Sequence, residues 1–421
     1  MDVITLRRDF HKYPEVGFTE FRTAAKVVEI LTSLGYEVLY GKEAMDSDSR
    51  RGVPPEQQLQ KAYDRALELG ADATILEKMK GGHTAVVGIL TGKEPGPTVA
   101  FRFDMDALPI KESDSADHFP VTEGFVSLHD GQMHACGHDA HTATGLVLAE
   151  RLADGDFAGT VKLIFQPAEE GVRGAYSIVQ KGMLDDVDYF FGMHYGTGVP
   201  SGEVCTGSSG FLATTKMEAR FYGVSSHAGS EPEKGRNALL GATTALLNIH
   251  ALPRFSSSVT RINVGILEGG TGANIIPDKA RMVIETRALT ESVNNELEER
   301  VRTIITHSAA MHGLSYEIEV KGAAIPINCD EELMSAAAEE AKKVNTFAKI
   351  EGYANSTGSE DASYMLKRVQ EKGGKATYMI VGSDIPAPHH NPKFDIDEKV
   401  LPNAVDFLNA IAKRFLTISR A

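Results

Sequence analysis

The sequence predicts an α/β protein. A large discontinuous domain, with a mixed, largely parallel sheet flanked by helices, receives an inserted ferredoxin-like domain. Three observations carry this. The chain has 421 residues, more than one hydrophobic core ordinarily serves, so two domains are expected. Strand-like and helix-like segments alternate as far as Tyr195 and resume from about Asp330, the pattern of a sheet with helical crossovers. Between them the order becomes β-α-β-β-α-β, a self-contained split β-α-β unit.

Residues 3 to 35 show helical periodicity that ends at Gly35. A polar, charged stretch from about Asp46 to Lys80 contains QQLQKAYDRALELG, a surface helix set between two strands. Strands follow at HTAVVGIL (83–90) and TVAFRFDMDA (98–107), and a long helix starts near His141 and runs through GLVLAERLA. VKLIFQPAEE (161–170) reads as an apolar strand ending in carboxylates, and DYFFGMHY (188–195) as another ending in a polar residue. Ligands of such sheets bind beyond the carboxyl ends of the strands, where these polar residues fall. From about Leu212, TTKMEARFYG, SVTRINVGILEGG, DKARMVIETRAL and LSYEIEVKG read as strands. GRNALLGATTALLNIHAL and SVNNELEERVRTIITHSAAMHG read as helices between them. The larger domain is therefore placed at 1–211 and 323–421, and the insertion at 212–322.

The formal charge is −15 and 42% of residues are apolar. Such an acidic chain repels nucleic-acid phosphates and anionic lipid, so neither is expected as a partner. An anionic small molecule would need a local cationic pocket. No run of 18 apolar residues predicts a membrane span, and MDVITLRRDFHKYPE does not read as a signal peptide. Three cysteines, Cys136, Cys205 and Cys329, are odd in number and far apart. That pattern fits a reducing cytoplasm rather than a disulfide framework and leaves Cys136 available as a thiolate.

MHACGHDAH (133–141) places Cys136 and His138 two residues apart, a thiolate and an imidazole suited to zinc and similar metals. Gly137 between them lets the backbone bend so that both face one point. Glu169 and Glu170 would repel each other unless something positive lies between them. A metal does that and divides the labour, one carboxylate coordinating while the other moves protons. His194 ends an apolar strand, and His389 and His390 stand in a Pro-rich loop. Taken singly, these have ordinary readings: a buried cysteine, a core histidine, a solvated strand end, a polar turn. Their placement at consecutive strand ends makes them one candidate metal site. Asp104 and Asp106 follow another strand, where a carboxylate commonly orients ligating histidines.

RFDMDALP, HACGHDAH, QPAEE and HNPKFDIDE, in this order, resemble the M20 metallopeptidase family in its amidohydrolase branch, and the likeness spans essentially the whole chain. RRDFHKYPEVGFTEFRTA, the charged insertion, GTGVPSG, ATTKMEA and GSEDA are most similar to the branch's aminobenzoyl-glutamate group. The resemblance implies two divalent metal ions, manganese or zinc, with Cys136 as bridging ligand and His138, Glu170, His194 and His390 as the others. His390 is preferred to His389 because it directly precedes Asn-Pro. Glu169 matches the general base. Arg102 departs from the histidine of the wider family's H-x-D, which leaves Asp104 as a supporting residue. His227 matches an active-site histidine donated across a dimer, and Asn274 and Arg287 match residues that hold the substrate's free carboxylate. Arg173 is a further candidate contact.

The implied reaction is hydrolysis of the amide bond of an N-acyl amino acid by a metal-activated water, with p-aminobenzoyl-glutamate as first choice of substrate. Glu169 would take the water's proton, and His227 would stabilise the oxyanion. A broader N-acyl-amino-acid hydrolase, an aminoacylase or a dipeptide carboxypeptidase would use the same scaffold. A non-catalytic subunit is a third reading, against which the complete ligand set and Glu169 argue. A homodimer through the inserted domain is the simpler assembly, and a heteromer with a related chain the alternative.

Overall fold

The computed structural model describes residues 1–344, 346–355 and 358–417. It divides into two compact units, one of Met1–Ser209, Ile327–Ser356 and Glu360–Ala421, the other of Gly210–Pro326 with Thr357–Ser359. The first unit holds strands β1 (Glu37–Tyr40), β2 (Val86–Thr91), β3 (Glu94–Asp104), β4 (Ala158–Gln166), β5 (Tyr189–Tyr195) and β6 (Glu203–Ser209). The second holds β7 (Ala213–Tyr222), β8 (Thr260–Gly269), β9 (Lys279–Ala288) and β10 (Ser315–Ala324). The chain then returns to the first unit for β11 (Lys349–Asn355) and β12 (Lys375–Val381).

The first unit's strands form one eight-stranded sheet in the order β1-β2-β4-β3-β5-β12-β6-β11. The central run β4-β3-β5-β12 is parallel throughout. Antiparallel pairing enters at β1 with β2, β2 with β4, and β6 with β12. β5 and β12 are buried along nearly their whole length, as strands covered on both faces must be. The four parallel strands end along one edge of the sheet, at Asp104, Gln166, Tyr195 and Val381.

The first 35 residues form two helices, Val3–Lys12 and Phe21–Ser33, rather than one. Pro14 breaks them, because its ring disfavours the helical region for the preceding residue, and Tyr13 sits at φ −125°, ψ 57°. β4 also stops earlier than expected. Pro167 cannot donate to the sheet, so Glu169 and Glu170 stand on a loop beyond the strand. The long helix begins at His138. Gly137 precedes it at φ 92°, a left-handed conformation that glycine takes without strain. Further along, the helix approaches β3 so closely that a Cβ on Gly145 would lie 2.5 Å from the Phe103 ring.

The second unit's sheet has the order β10-β7-β9-β8, antiparallel throughout. Helices Ala238–His250 and Glu291–Met311 belong to this unit. Its core is made by Met217, Phe221, Met282, Ile284, Val301 and Ile305. Among the described residues, no helix is long and apolar enough to cross a membrane.

Candidate metal centre

The helix start at His138, the end of β5, the loop after β4 and the loop after β12 bring five donors together in the first unit. Ligand atoms of Cys136, His138 and His194 lie within 4.8 Å of one another, as do those of Cys136, Glu170 and His390. Cys136 belongs to both groups and so stands between them. His138 donates its Nδ1–H to the Asp106 carbonyl at 2.8 Å, and His194 donates its own to the Tyr195 carbonyl at 2.8 Å. Those bonds fix the tautomers that leave each Nε2 lone pair free for a cation. The His194 Nε2 stands 3.5 Å from the Cys136 sulfur.

Orphaned atoms test whether this set fits a metal. Among the described residues, His138 Nε2 and Glu170 Oε1 are buried without a hydrogen-bond partner, although Asp104 Oδ2 lies 3.6 Å from that nitrogen and His390 Nε2 3.3 Å from that oxygen. Unpaired buried polar atoms are costly, and two of them aimed into one sulfur-nitrogen-oxygen cluster suit a divalent cation. Burial, then the charge of Glu170, pushes the Cys136 thiol up, so a thiolate here needs added positive charge. Asp104 and His141 also cluster with His138 but are already occupied. Asp104 accepts from Arg102 at 2.7 Å and from His141 Nδ1, and His141 Nε2 accepts the Tyr195 N–H at 3.2 Å. Arg102, also bonded to Gln166 and Glu360 at 2.8 and 2.9 Å, is a buried structural cation.

The Asp106 carboxylate accepts the backbone N–H groups of Glu169 and Glu170 at 3.0 and 2.9 Å. One residue thus ties both glutamates to His138. Glu169 clusters with Glu360 and Asp361. Burial, then the charges of Glu360, Glu170 and Asp361, raises its pKa well above the usual carboxylate range. Arg173 is engaged within the chain, donating to the Glu170 carbonyl at 2.9 Å and the Gly52 carbonyl at 3.0 Å. It braces the glutamate loop, a role other than the substrate contact that the sequence suggests.

Both late histidines reach Cys136. His390 joins it in the cluster with Glu170 and adopts φ 66°, a conformation rare outside glycine and found near functional sites. His389 Nδ1 lies 3.6 Å from the same sulfur. Burial, then His390, lowers the His389 pKa to about 4.

In the second unit, His227 and Asn274 are neighbours. Residue 227 pairs with Ile275 in a backbone bridge, and the Ala228 N–H donates to the Asn274 carbonyl at 3.0 Å. His227 Nδ1 accepts the N–H groups of Gly229 and Ser230, both at 3.1 Å. Arg287 lies on β9 and pairs with Glu285 at 3.0 Å.

A model of peptidase family M20/M25/M40 matches residues 100–414. The chain belongs to the M20 family. Among M20-related sequences, it is 48% identical over 413 residues to indole-3-acetyl-aspartic acid hydrolase of Enterobacter agglomerans, covering 97% of this chain and 94% of that one. It is 45% identical over 415 residues to a p-aminobenzoyl-glutamate hydrolase chain of Escherichia coli (strain K12), covering 97% and 94%. Aminobenzoyl-glutamate utilization protein from Klebsiella pneumoniae matches with TM-score 0.85 and 41% identity over 98% and 95% of the two chains. A dinuclear metal binding peptidase of the M20 family from Bacillus subtilis matches with TM-score 0.66 and 25% identity over 98% and 97%.

Proposed function

We propose that this M20 protein is an amidohydrolase for N-acyl amino acids whose amino-acid part is acidic, with p-aminobenzoyl-glutamate as the first substrate. The carrying observation is the convergence of five metal-type donors, two with orphaned buried atoms, beside the buried carboxyl group of Glu169. Cys136, His138, Glu170, His194 and His390 would hold two divalent ions, manganese or zinc. Such ions lower the pKa of a water and polarise the amide carbonyl.

Glu169 takes a proton from the attacking water and returns it to the leaving nitrogen. Asp106 keeps base and ligand in fixed register by holding both backbone N–H groups. Asp104 supports His141 and receives Arg102, so it acts on packing rather than on substrate. In its uncharged form His227 presents Nε2–H, since Nδ1 is already an acceptor. That is the polarity needed to donate to a developing oxyanion, and we assign this role within a neighbouring subunit's site. Asn274 and Arg287 hold the free carboxylate.

The support for an acidic substrate comes from two relatives, named for aspartate and glutamate conjugates. The first of these favours indole-3-acetyl-aspartate as the second substrate to try. We assign assembly to the second unit, where β8 is an edge strand and helix Ala238–His250 leaves Leu240 and Leu247 53% and 64% exposed. Exposed apolar groups beside an open edge favour a pairing surface, for a second copy first and a related chain second. Free cysteines at 136, 205 and 329 fit a reducing cytoplasm.

Glu169→Gln tests the mechanism. It should keep its metal and lose turnover by roughly 10²–10⁴-fold, the span of general acid–base catalysis. A near-normal rate removes Glu169 as the base. Activity on acetyl-amino acids, with none on either acidic conjugate, favours a broader aminoacylase.

A further inference from the structure

We infer that His389 is a positioning residue that donates its Nδ1–H to the Cys136 sulfur, leaving His390 as the ligand from this loop. This rests on the reading of Cys136 as a metal ligand and concerns what sits behind that ligand. The deciding contact lies on the far side of the His389 ring. Its Nε2 is met by the backbone N–H of Thr197 at 3.2 Å. A backbone N–H can only donate, so that Nε2 carries the lone pair. The neutral ring then has its proton on Nδ1, which faces the sulfur at 3.6 Å. Had His389 coordinated through Nδ1, the proton would sit on Nε2 and two N–H groups would point at each other.

The ring is held in this orientation. His194 packs against it at 5.4 Å between centroids and Phe394 at 4.7 Å. Gly196 leaves it room, since a Cβ there would lie 3.4 Å from Nε2. The next residue turns away. The His390 N–H donates to the Ala135 carbonyl at 2.8 Å, one residue before Cys136, and its φ of 66° directs its ring to the cluster of Cys136 and Glu170. The two adjacent histidines thus serve one sulfur differently. An N–H···S bond draws charge from the thiolate and fixes the direction of its lone pairs, the way groups behind a ligand tune it.

Cobalt(II) is the probe, because a thiolate bound to it gives a near-ultraviolet charge-transfer band whose energy follows the charge on sulfur. Metal is removed from the full-length protein, cobalt is added back, and the spectrum and cobalt content are read together. His389→Leu should keep the cobalt content of the unaltered protein and move the thiolate band to longer wavelength. His389→Gln, which restores an N–H donor, should move it back toward the unaltered position. A band unmoved in the leucine variant overturns the inference, as does loss of one cobalt per chain, which would make His389 a ligand. Absence of any thiolate band in the unaltered protein removes Cys136 as a ligand and the inference with it. That outcome is distinct from an unmoved band.

Discussion

Two buried charged clusters flank the start of helix His138–Leu152, and they are built in opposite ways. Around Arg7 each guanidinium nitrogen meets a carboxylate. Nε donates to Asp139 at 2.8 Å, Nη1 to Glu398 at 3.1 Å, and Nη2 to Asp395. His11 places one ring nitrogen on Asp139 at 2.8 Å and the other on Glu112 at 2.9 Å. Around Cys136, by contrast, His138 Nε2 and Glu170 Oε1 make no hydrogen bond among the described residues, with Asp104 3.6 Å from the first and His390 3.3 Å from the second. Adjacent residues divide between the two, since Asp139 belongs to the first and His138 to the second. In low dielectric an unpaired polar group is expensive. Mutual saturation therefore marks a structural network, and convergent orphaned donors mark a site built for a further charge. The saturated side is not perfect, because Asp139 Oδ1 and both ring nitrogens of His134 also lack hydrogen-bond partners among the described residues. Burial lowers the His134 pKa to about 3, so that ring stays uncharged and adds no unpaired charge.

The difference can be broken from either side. The largest effect is expected at Glu170. Glu170→Gln should lose one ion and reduce turnover by more than the roughly 10- to 100-fold that altering a group behind a ligand costs, while its metal-free form unfolds in urea no earlier than the metal-free parent. Loss of stability without metal would mean that Glu170 is structural. Arg7→Met should do the reverse. Breaking a buried pair by removing one partner costs about 3–5 kcal/mol, read as a lowered urea midpoint in the metal-free protein. An unchanged midpoint would mean that the three carboxylates are satisfied without it.

A smaller effect is expected at His11. Burial alone would lower its pKa, but hydrogen bonds to Asp139 and Glu112 carry it up to about 9. The unfolded value is about 6.5. A raised folded pKa means that this stabilisation is complete below about pH 6.5 and fades as pH rises through about 9. The urea midpoint should fall across that window, and His11→Gln should flatten the fall. A slope identical in the variant would count against a charged His11. The smallest effect is expected at Lys93, paired with Asp156 at 3.1 Å with both side chains more than 60% exposed. Lys93→Ala should change stability by under ~1 kcal/mol, and a larger loss would blur the contrast between buried and exposed pairs.

Part of the reactive cluster was legible because Glu170 and His194 stand at or just after the apolar runs that announce β4 and β5. Cys136 and His138 stand at a helix start rather than at a strand end, and it is their spacing about Gly137 that marked them. The saturated cluster was not legible. Arg7 and Glu398 lie 391 positions apart, and no local pattern links them. The separate roles of His389 and His390 depend on an N–H of Thr197, 192 positions away, so the motif alone could favour one histidine but not say what the other does. The split of the first helix was visible in Pro14, whose effect on Tyr13 outweighs the helical periodicity around it. The end of β4 was likewise visible in Pro167.

Metal content tests the division of labour most directly. The protein is purified without added metal, reconstituted with manganese or zinc, dialysed and subjected to elemental analysis beside Glu170→Gln, His390→Ala and Arg7→Met. The expected result is two divalent ions per chain in the unaltered protein and in whatever folded fraction of Arg7→Met remains, with at most one in the other two. Two ions in Glu170→Gln and His390→Ala, or none in the unaltered protein, would contradict a metal centre built from these donors.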